Sequence, residues 1–314
     1  MTEIIILNDD GIAKGAKILR NGGLVAFPTE TVYGLGADAT NDHAVAGIYE
    51  AKGRPSFNPL IIHLPNLKDA LHYADFNDMA LQLADQFWPG ALTLVVPLKP
   101  KSKLSKLVSA GLDTVAIRVP AHGGARDLLR VTGTPIAAPS ANTSGRLSPT
   151  TASHVSDSLN GKVDIILDGG PCQVGLESTI IDCSTDRVTL LRPGGIAAEV
   201  IEHVIGKSLI KASSDDHTPK SPGMLASHYA PNCPIRLNVA QPKDGEVYLG
   251  FGECPDADLN LSPDGDLRQA AANLFNMLHE LDQKGAVGIA VSPIPNTGLG
   301  LAINDRLTRA AAPR

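Results

Sequence analysis

Short apolar runs alternate with amphipathic helical patterns along the first two thirds of the sequence, and this alternation is the feature that most restricts the fold. Gly and Pro separate the segments, as at Trp88-Pro89-Gly90, where a helix cannot continue. Strands are predicted at 24–27, 60–64, 91–96, 114–119, 135–138, 164–167, 178–183 and 187–191, and helices at 11–21, 42–52, 77–87 and 125–131. The pattern predicts an α/β fold.

A change of composition divides the chain. Residues 207–232 are rich in Ser, Asp, Lys and Pro and contain too little apolar surface to fold alone, so they are predicted to be a linker. The first domain is then expected at 1–206 and a second, smaller α/β domain at 233–314. In the second domain, strands are predicted at 235–239, 247–251 and 286–291, and helices at 267–284 and 301–311.

The bulk composition argues against several classes of protein. A net charge of −6 and an aromatic content of 4% are unlike a cationic, base-stacking nucleic-acid binder. The four cysteines form no Cys-x-x-Cys pair, which favours free thiols in a reducing compartment. No apolar run is long enough to span a membrane, and the N-terminus is unlike a signal peptide. We therefore expect a cytoplasmic protein with no membrane partner.

Polar loop segments follow several predicted strands. Thr29, Glu30 and Thr31 come directly after the strand at 24–27, and ligands bind at such strand ends in open α/β sheets. Lys52 and Arg54 follow a predicted helix and combine a mobile charge with a planar fork of donors, which suits a polyphosphate. The alternatives are turn and capping residues in the first segment, and basic residues that complement a helix dipole in the second.

Arg118 lies inside an otherwise apolar predicted strand. A charge in such a position is costly unless it is paired or faces a cleft, so a ligand or a carboxylate partner is favoured. Residues 138–148 carry hydroxyl and amide groups that could line a phosphate or a nucleoside, or could form only a hydrogen-bonded turn. Residues 177–179 and 191–195 add further polar groups at strand ends. Together these segments indicate an anion-binding site.

Three of these segments resemble the signature of a known family. The matching residues are Thr29-Glu30-Thr31-x-Tyr33-Gly34-Leu35, Lys52-x-Arg54-Pro55 with Asn58-Pro59-Leu60, and Ser140-x-Asn142 with Gly145. They closely match threonylcarbamoyl-AMP synthases of the YrdC/Sua family. Ser221-Pro222-Gly223-Met224 and His228-Tyr229-Ala230-Pro231 are similar to the linker of its long, two-domain members. The resemblance covers almost the whole chain. It implies a YrdC-like twisted mixed sheet with a concave groove, followed by a smaller Rossmann-like α/β domain.

The resemblance also implies which residues bind substrates. The L-threonine site would comprise Thr31, His63, Arg118, Ala138 and Ser178. The ATP site would comprise Arg54, Asn58, Thr114, Ser140, Ser148, Arg192 and Tyr229, with Tyr229 folding back over the nucleotide. The signature pairs would be catalytic, namely Lys52 with Arg54 and Ser140 with Asn142, and Lys52 and Asn142 would border the phosphates. Mg²⁺ is expected with ATP, without a metal site of the protein's own. Some relatives carry basic residues where this linker has Leu225 and Ser227, which leaves open a phosphate contact by the linker.

The implied activity is that of a nucleotidyltransferase. It condenses L-threonine, bicarbonate and ATP to threonylcarbamoyl-AMP and pyrophosphate, for threonylcarbamoyladenosine modification of tRNA. The expected partners are a downstream tRNA threonylcarbamoyl-transfer machinery and, at most weakly, tRNA itself. One alternative is an RNA-binding translation or ribosome-maturation factor without catalysis, which the acidic composition disfavours. Another is a carbamoyl-adenylate former that uses carbamoyl phosphate, as in hydrogenase maturation proteins. Those resemble this chain only over the first domain, and their zinc-finger cysteines have no counterpart here.

Overall fold

The computed structural model of the protein describes residues 1–212 and 227–313. The strands in these residues are β1 Glu3–Ile6, β2 Val25–Phe27, β3 Gly34–Asp38, β4 Ile61–His63, β5 Leu92–Pro97, β6 Thr114–Arg118, β7 Ile136–Ala137, β8 Ile165–Asp168, β9 Thr179–Asp182, β10 Thr189–Arg192, β11 Ile210–Lys211, β12 Ile235–Arg236, β13 Glu246–Gly250, β14 Leu259–Asn260 and β15 Gly288–Val291. The helices are α1 Asp9–Arg20, α2 Asp42–Lys52, α3 Leu67–Ala70, α4 Asp78–Phe87, α5 Lys106–Ser109, α6 Gly123–Thr132, α7 Ala152–Leu159, α8 Ala198–Ile205, α9 Leu267–Asp282 and α10 Gly300–Ala311.

The described strands form two sheets. The larger sheet has the order β1-β8-β2-β3-β7-β4-β6-β5-β9-β10-β11 and is mixed, since β4 runs parallel to β6 whereas β5 and β6 are antiparallel. The smaller sheet has the order β12-β15-β13-β14, and all its strands are parallel. The predicted α/β class, with a mixed first sheet and a smaller α/β second unit, is confirmed.

Helix ends follow the local sequence signals. The Asn41 side chain accepts hydrogen bonds from two amides of the first turn of α2, which ends at Gly53 in the left-handed region (φ 59°). Helix α9 begins after Asp266, whose side chain accepts from the Arg268 amide at 2.7 Å, and this start agrees with the predicted helix at 267–284. No helix within the described parts of the chain combines the length and the apolar character needed to cross a bilayer.

Several short elements were not predicted from the sequence, and β3, β1 and α7 are the ones considered next. Residues 34–38 were not predicted as a strand, but they form the buried strand β3. Gly36 is required there because a Cβ atom would lie 2.8 Å from the Phe27 ring. Strand β1 lies at the edge of the sheet, where Ile4 and Ile6 stay exposed. Helix α7 is short and rich in Ser, and only Ala152, Val155 and Leu159 form its apolar stripe, although Thr151 caps its first turn.

The hydrophobic core of the smaller sheet extends into the first unit. Val32, Leu147 and Leu176 belong to the same buried cluster as Leu274 and Phe275 of α9. Tyr229 is part of this cluster as well. Of the predicted linker, residues 213–226 lie outside the described residues, including Ser221–Met224 and Leu225. At its end, the Ala230 amide donates to the Gly145 carbonyl at 2.8 Å, so this part packs on the first unit. The boundaries 1–206, 207–232 and 233–314 stay a prediction.

Candidate active site

One cavity brings together most of the predicted site residues. Those in its wall are Thr31, Arg54, His63, Arg118, Ala138, Ser140, Ser178, Arg192 and Tyr229. Its free volume is about 40 Å³, room for a few water molecules. A larger cavity of about 530 Å³ lies between the edge of the large sheet and the smaller sheet, but no predicted site residue lines it. The small cavity is therefore the candidate site.

Two neighbouring strands place two of these residues, His63 and Arg118, side by side. Strands β4 and β6 are parallel, and His63 lies opposite Arg118 in their register. Both side chains form part of the cavity wall and are almost fully buried. Strand β9 continues the same layer, and Ser178 comes directly before it. The carboxyl ends of β4 and β6 thus place polar groups at one edge of the sheet.

Arg118 is paired with protein groups on three sides. Its Nη2 atom donates to Glu30 Oε1 at 2.6 Å, Nη1 donates to Thr31 Oγ1 at 2.8 Å, and Nε donates to the Gly90 carbonyl at 3.2 Å. The predicted carboxylate partner is therefore Glu30. Burial opposes ionisation of Glu30, yet the Arg118 charge and hydrogen bond hold its pKa below the usual value. A guanidinium has five N–H groups, so two remain for a ligand.

His63 is a neutral group in this wall. Burial and the nearby Arg118 charge lower the pKa of His63 to about 3. Its Nδ1 lies 3.3 Å from the Ile61 carbonyl, which can only accept, so Nδ1 carries the proton and Nε2 is an acceptor. A group with so low a pKa is a poor base at neutral pH. It suits positioning rather than proton transfer.

Arg54 and Arg192 supply the second cationic region of the cavity. Arg54 Nη2 donates to the Pro59 carbonyl at 3.0 Å, which fixes the guanidinium after helix α2. Arg192, at the end of β10, donates from Nη2 to the Ser178 carbonyl at 2.9 Å. Burial lowers the pKa of Arg54 to about 10 and also lowers the pKa of Arg192. Arg54 therefore stays cationic at neutral pH, and the region suits an anion.

Arg306 is a functional candidate that the sequence analysis did not select, and Glu177 was included there only as one of the polar residues 177–179 at a strand end, without a role of its own. Glu177 lines the cavity, and its Oε2 lies 2.7 Å from Nε of Arg306, which comes from α10 of the smaller unit. Arg306 also lies 5.0 Å from the centroid of the Tyr229 ring. A signal existed in the sequence, because Arg306 interrupts the apolar stripe of α10 formed by Ile303, Leu307 and Ala310.

Five predicted site residues do not lie in the wall. They are Lys52, Asn58, Thr114, Asn142 and Ser148. The Lys52 ammonium donates to the carbonyl of Ser140, at 2.6 Å, and to that of Asn142, so it holds the loop that carries the second signature pair. Burial lowers the pKa of Lys52 well below its usual value. Thr114 begins β6, about 13 Å along the strand from Arg118.

Asn58 and Ser148 are buried close to wall residues. The Asn58 side chain is 1% exposed, and neither its Oδ1 nor its Nδ2 has a hydrogen-bond partner in residues 1–212 and 227–313. Its carbonyl accepts from Arg54 Nε at 3.3 Å. Ser148 Oγ donates to Glu177 Oε1 at 2.5 Å. An orphaned buried amide is costly, which points to a missing partner such as a ligand or water.

The end of the predicted linker closes one side of the cavity. His228 and Tyr229 both line it, and Tyr229 is held in the left-handed region at φ 62°. Among the described residues, the Tyr229 hydroxyl and His228 Nδ1 find no hydrogen-bond partner, although both residues are buried. Burial lowers the pKa of His228 to about 3. Such strain and unsatisfied groups are typical of a functional site.

The described residues were also inspected for a metal site of the protein's own. Within 1–212 and 227–313, no group of three or more His, Cys, Asp or Glu side chains is arranged to hold a metal ion. Glu30 and Glu177, the carboxylates nearest the cavity, are both paired with arginines. This donor set is compatible with Mg²⁺ that is bound chiefly by substrate phosphates, as is common for that ion.

Comparison with known families matches both parts of the chain. A family model described as telomere recombination, which groups Sua5, YciO and YrdC, matches residues 17–194. A second model, described as the C-terminal domain of threonylcarbamoyl-AMP synthase, matches residues 196–312.

Individual relatives match over nearly the full length. A threonylcarbamoyl-AMP synthase of Bacillus subtilis is 44% identical, and the match covers 100% of this chain and 96% of the relative. A protein of the same description from Pyrococcus abyssi is 42% identical, with 95% and 93% covered. The crystal structure of P. abyssi Sua5 complexed with L-threonine superposes with a TM-score of 0.90 at 40% identity, covering 99% of this chain and 97% of that one.

Proposed function

The chain belongs to the threonylcarbamoyl-AMP synthases of the YrdC/Sua family, and on that basis we propose a specific reaction for it. The protein condenses L-threonine, bicarbonate and ATP into threonylcarbamoyl-AMP and pyrophosphate. The product is an intermediate for modification of an adenosine in tRNA. A cytoplasmic transfer machinery would consume it, and any direct contact of this chain with tRNA would be weak.

One observation carries this proposal. Arg54, Arg118 and Arg192 come from three distant parts of the sequence, yet all three line a single buried cavity. Burying three guanidinium groups together is costly unless anions compensate them. Glu30 and Glu177 supply two negative charges there, and a triphosphate together with an amino-acid carboxylate would supply more. The cavity is thus suited to two anionic substrates held side by side.

We assign the L-threonine half to the Arg118 side. The two N–H groups that remain on Arg118 would pair with the threonine carboxylate. Thr31 Oγ1 is already tied to Arg118 and to Thr29 Oγ1 at 2.7 Å, which fixes its direction. His63, Ala138 and Ser178 complete this half. Support comes from the P. abyssi structure with L-threonine, which shares this fold.

The nucleotide half lies at Arg54, Ser140, Arg192 and Tyr229. Arginine forks match phosphate oxygens, and both guanidinium groups are held by main-chain carbonyls and so are preorganised. Asn58 and Ser148 adjoin this half, and the orphaned Asn58 amide offers both a donor and an acceptor. Mg²⁺ carried by the ATP phosphates would neutralise part of the charge on the leaving pyrophosphate.

The reaction needs no covalent enzyme intermediate. The threonine amine adds to bicarbonate-derived CO2 and loses a proton, which gives a carbamate. A carbamate oxygen then bonds to the α-phosphorus of ATP, and the bond from that phosphorus to the bridging oxygen breaks, releasing pyrophosphate. The protein contributes by holding both anions in line, and Arg54 and Arg192 stabilise charge on the departing phosphates.

The size of the cavity implies that its wall moves when ATP binds. About 40 Å³ is far too small for a nucleotide. The side chains of His228 and Tyr229 occupy one side and belong to the predicted linker. Their displacement would admit ATP, and their return would shelter the labile adenylate from water.

A pyrophosphate-release assay on the purified protein tests the proposal. Threonine, bicarbonate and ATP are omitted in turn, and the adduct is identified by its mass. We expect release to require all three substrates. Activity with carbamoyl phosphate in place of threonine and bicarbonate would instead support the carbamoyl-adenylate alternative. Salt-dependent RNA binding without threonine-dependent release would support the non-catalytic one.

A further inference from the structure

Arg306, on α10 of the C-terminal unit, is a buried charge that pairs with Glu177 in the wall of the candidate active site. Its side chain is fully buried, and its Nε lies 2.7 Å from Glu177 Oε2. The other guanidinium nitrogens are also engaged, Nη1 with Asp305 at 2.5 Å and Nη2 with the Pro193 carbonyl at 3.0 Å. Because three acceptors fix the guanidinium plane, the direction of the Glu177 carboxylate is fixed as well.

The fixed Glu177 carboxylate in turn orients the side chain of Ser148. Its second oxygen, Oε1, accepts the Ser148 hydroxyl at 2.5 Å, so the carboxylate bridges the C-terminal arginine and a residue beside the nucleotide half. Burial opposes ionisation of Glu177, but the charges of Arg306 and Arg192 and these hydrogen bonds lower its pKa to about 2. The carboxylate is therefore ionised and acts only as an acceptor at neutral pH.

The C-terminal unit also holds the two loops that carry these residues. Leu147 and Leu176, each directly before a member of the bridge, are buried in the hydrophobic cluster of the smaller sheet. The main chain before Leu176 is equally close, because a Cβ on Gly175 would lie 2.4 Å from the Ala271 carbonyl of α9. In addition, His279 Nε2 of α9 lies 3.2 Å from the Ser148 carbonyl. Both loops are thus positioned from the same side.

We propose that Arg306 is a positioning residue for the nucleotide half of the site, and that it acts through Glu177 on Ser148. This inference rests on the proposed function and assigns the C-terminal unit a part in it. A purely structural role would not account for the charges, since apolar side chains of similar volume stabilise a core as well as a buried ion pair does. In this protein the Glu177 carboxylate, which is paired with Arg306, lies in the wall of the cavity.

Kinetics of Arg306→Met in the full chain test the inference. We expect the KM for ATP to rise by about tenfold, the effect of one lost charge-assisted hydrogen bond, and the KM for L-threonine to stay within about twofold. Arg306→Lys keeps the positive charge but lacks the planar set of guanidinium donors, so its ATP affinity should lie between those of Arg306→Met and the original protein. Glu177→Gln should weaken ATP binding in the same selective way.

A matched control comes from the same unit. Arg236 pairs with Glu246 at 2.6 Å, and neither residue lines the cavity, so Arg236→Met should leave both KM values within about twofold of the original protein. The double variant Arg306→Met with Glu177→Gln removes both buried charges and guards against misfolding of the single variant. Its ATP affinity should be no worse than that of Arg306→Met alone.

Two results would overturn the inference. One is an unchanged KM for ATP in folded Arg306→Met or in the folded double variant. The other is an equal rise in the KM values of both substrates. Direct ATP binding, measured by calorimetry with Mg²⁺ present, separates this inference from the proposed function. If the unaltered protein formed no threonine adduct, the proposed function would fail, while the comparison of ATP affinities would still decide the role of Arg306.

Discussion

Arg118 and Glu30 form a buried ion pair, with 2.6 Å between Nη2 and Oε1, at the end of the cavity assigned to L-threonine. Strand β6 carries the arginine, and the loop after β2 carries the glutamate. The pair holds Arg118 in a fixed orientation before substrate arrives. A preformed guanidinium loses less conformational entropy when a carboxylate binds to it, which favours affinity for an amino acid.

Removal of the arginine should affect one substrate selectively. In Arg118→Met, the KM for L-threonine should rise by about tenfold or more, because a charge-assisted carboxylate pair is lost, while the KM for ATP should change by less than about twofold. Steady-state kinetics with each substrate varied in turn provide the measurement. Glu30→Gln is the matched comparison, since it keeps the cation and removes only the ion pair that orients it, so the KM for L-threonine should rise clearly less than in Arg118→Met. Equal losses for both substrates in Arg118→Met would contradict the assignment.

The two arginines of the nucleotide half should matter chiefly for turnover. Arg54→Ala or Arg192→Ala should lower kcat by about 100-fold or more, because each removes a preorganised donor worth roughly 3 kcal/mol to the developing pyrophosphate charge. Pyrophosphate release at saturating substrates gives the rate. Arg130→Ala, at a half-exposed surface position, should have no effect. Near-normal turnover in both cavity variants would exclude these roles.

The ring of Tyr229 should protect the product. Tyr229→Ala opens the side of the cavity closed by the linker, so a larger share of the adenylate should appear as AMP from hydrolysis. Tyr229→Phe keeps the ring and removes only a hydroxyl without a hydrogen-bond partner in the part of the chain that the structure describes, so its product ratio should match that of the original protein. Quantifying AMP and adduct in the same reaction distinguishes the two variants. The same ratio in Tyr229→Ala would argue against a sheltering ring.

Stability should fall as the solution is acidified below pH 6.5. Burial lowers the pKa values of His63 and His228 to about 3, so both are neutral in the folded protein, whereas the unfolded chain takes up protons near its usual pKa of about 6.5. The unfolded state therefore binds more protons in this window, and each histidine costs about 1–2 kcal/mol of unfolding free energy by pH 5. Urea unfolding at pH 7, 6 and 5 measures the loss, and a flat profile would contradict the burial of neutral imidazoles.

The carboxylates act in a lower range of pH, which overlaps that of the histidines between about 4.5 and 3. The pKa of Glu177 is lowered to about 2 and that of Glu30 is also lowered, so their stabilisation is complete above the unfolded value of about 4.5. It is lost as the pH falls from there towards 2. His63→Asn should therefore reduce the loss of unfolding free energy throughout the range from pH 6.5 to about 3, where the folded and unfolded states differ in protonation of this histidine, and leave the loss below pH 3 unchanged.

Local patterns in the sequence predicted most of the helices and strands, and they also predicted the kind of site. The period of apolar residues and the capping signals predicted α2 and α9 closely, because these depend on neighbours within a few residues. The lone charge in the β6 pattern indicated a paired arginine for the same reason. Strand β3 was not predicted, because glycine weakens a strand pattern in isolation, whereas Gly36 is needed in this sheet for the close approach of the Phe27 ring.

The tertiary structure alone decided which groups meet. The sheet order sets β2 beside β8 and β5 beside β9, so residues distant in the sequence share one cavity wall. Arg306 meets Glu177 across 129 positions, and no periodicity in either segment encodes that encounter. Sequence patterns report the preferences of a residue and its near neighbours, whereas the partners of a buried charge depend on how whole elements pack. The chemistry of the site could therefore be predicted from the sequence, but its geometry and the contribution of the C-terminal unit could not.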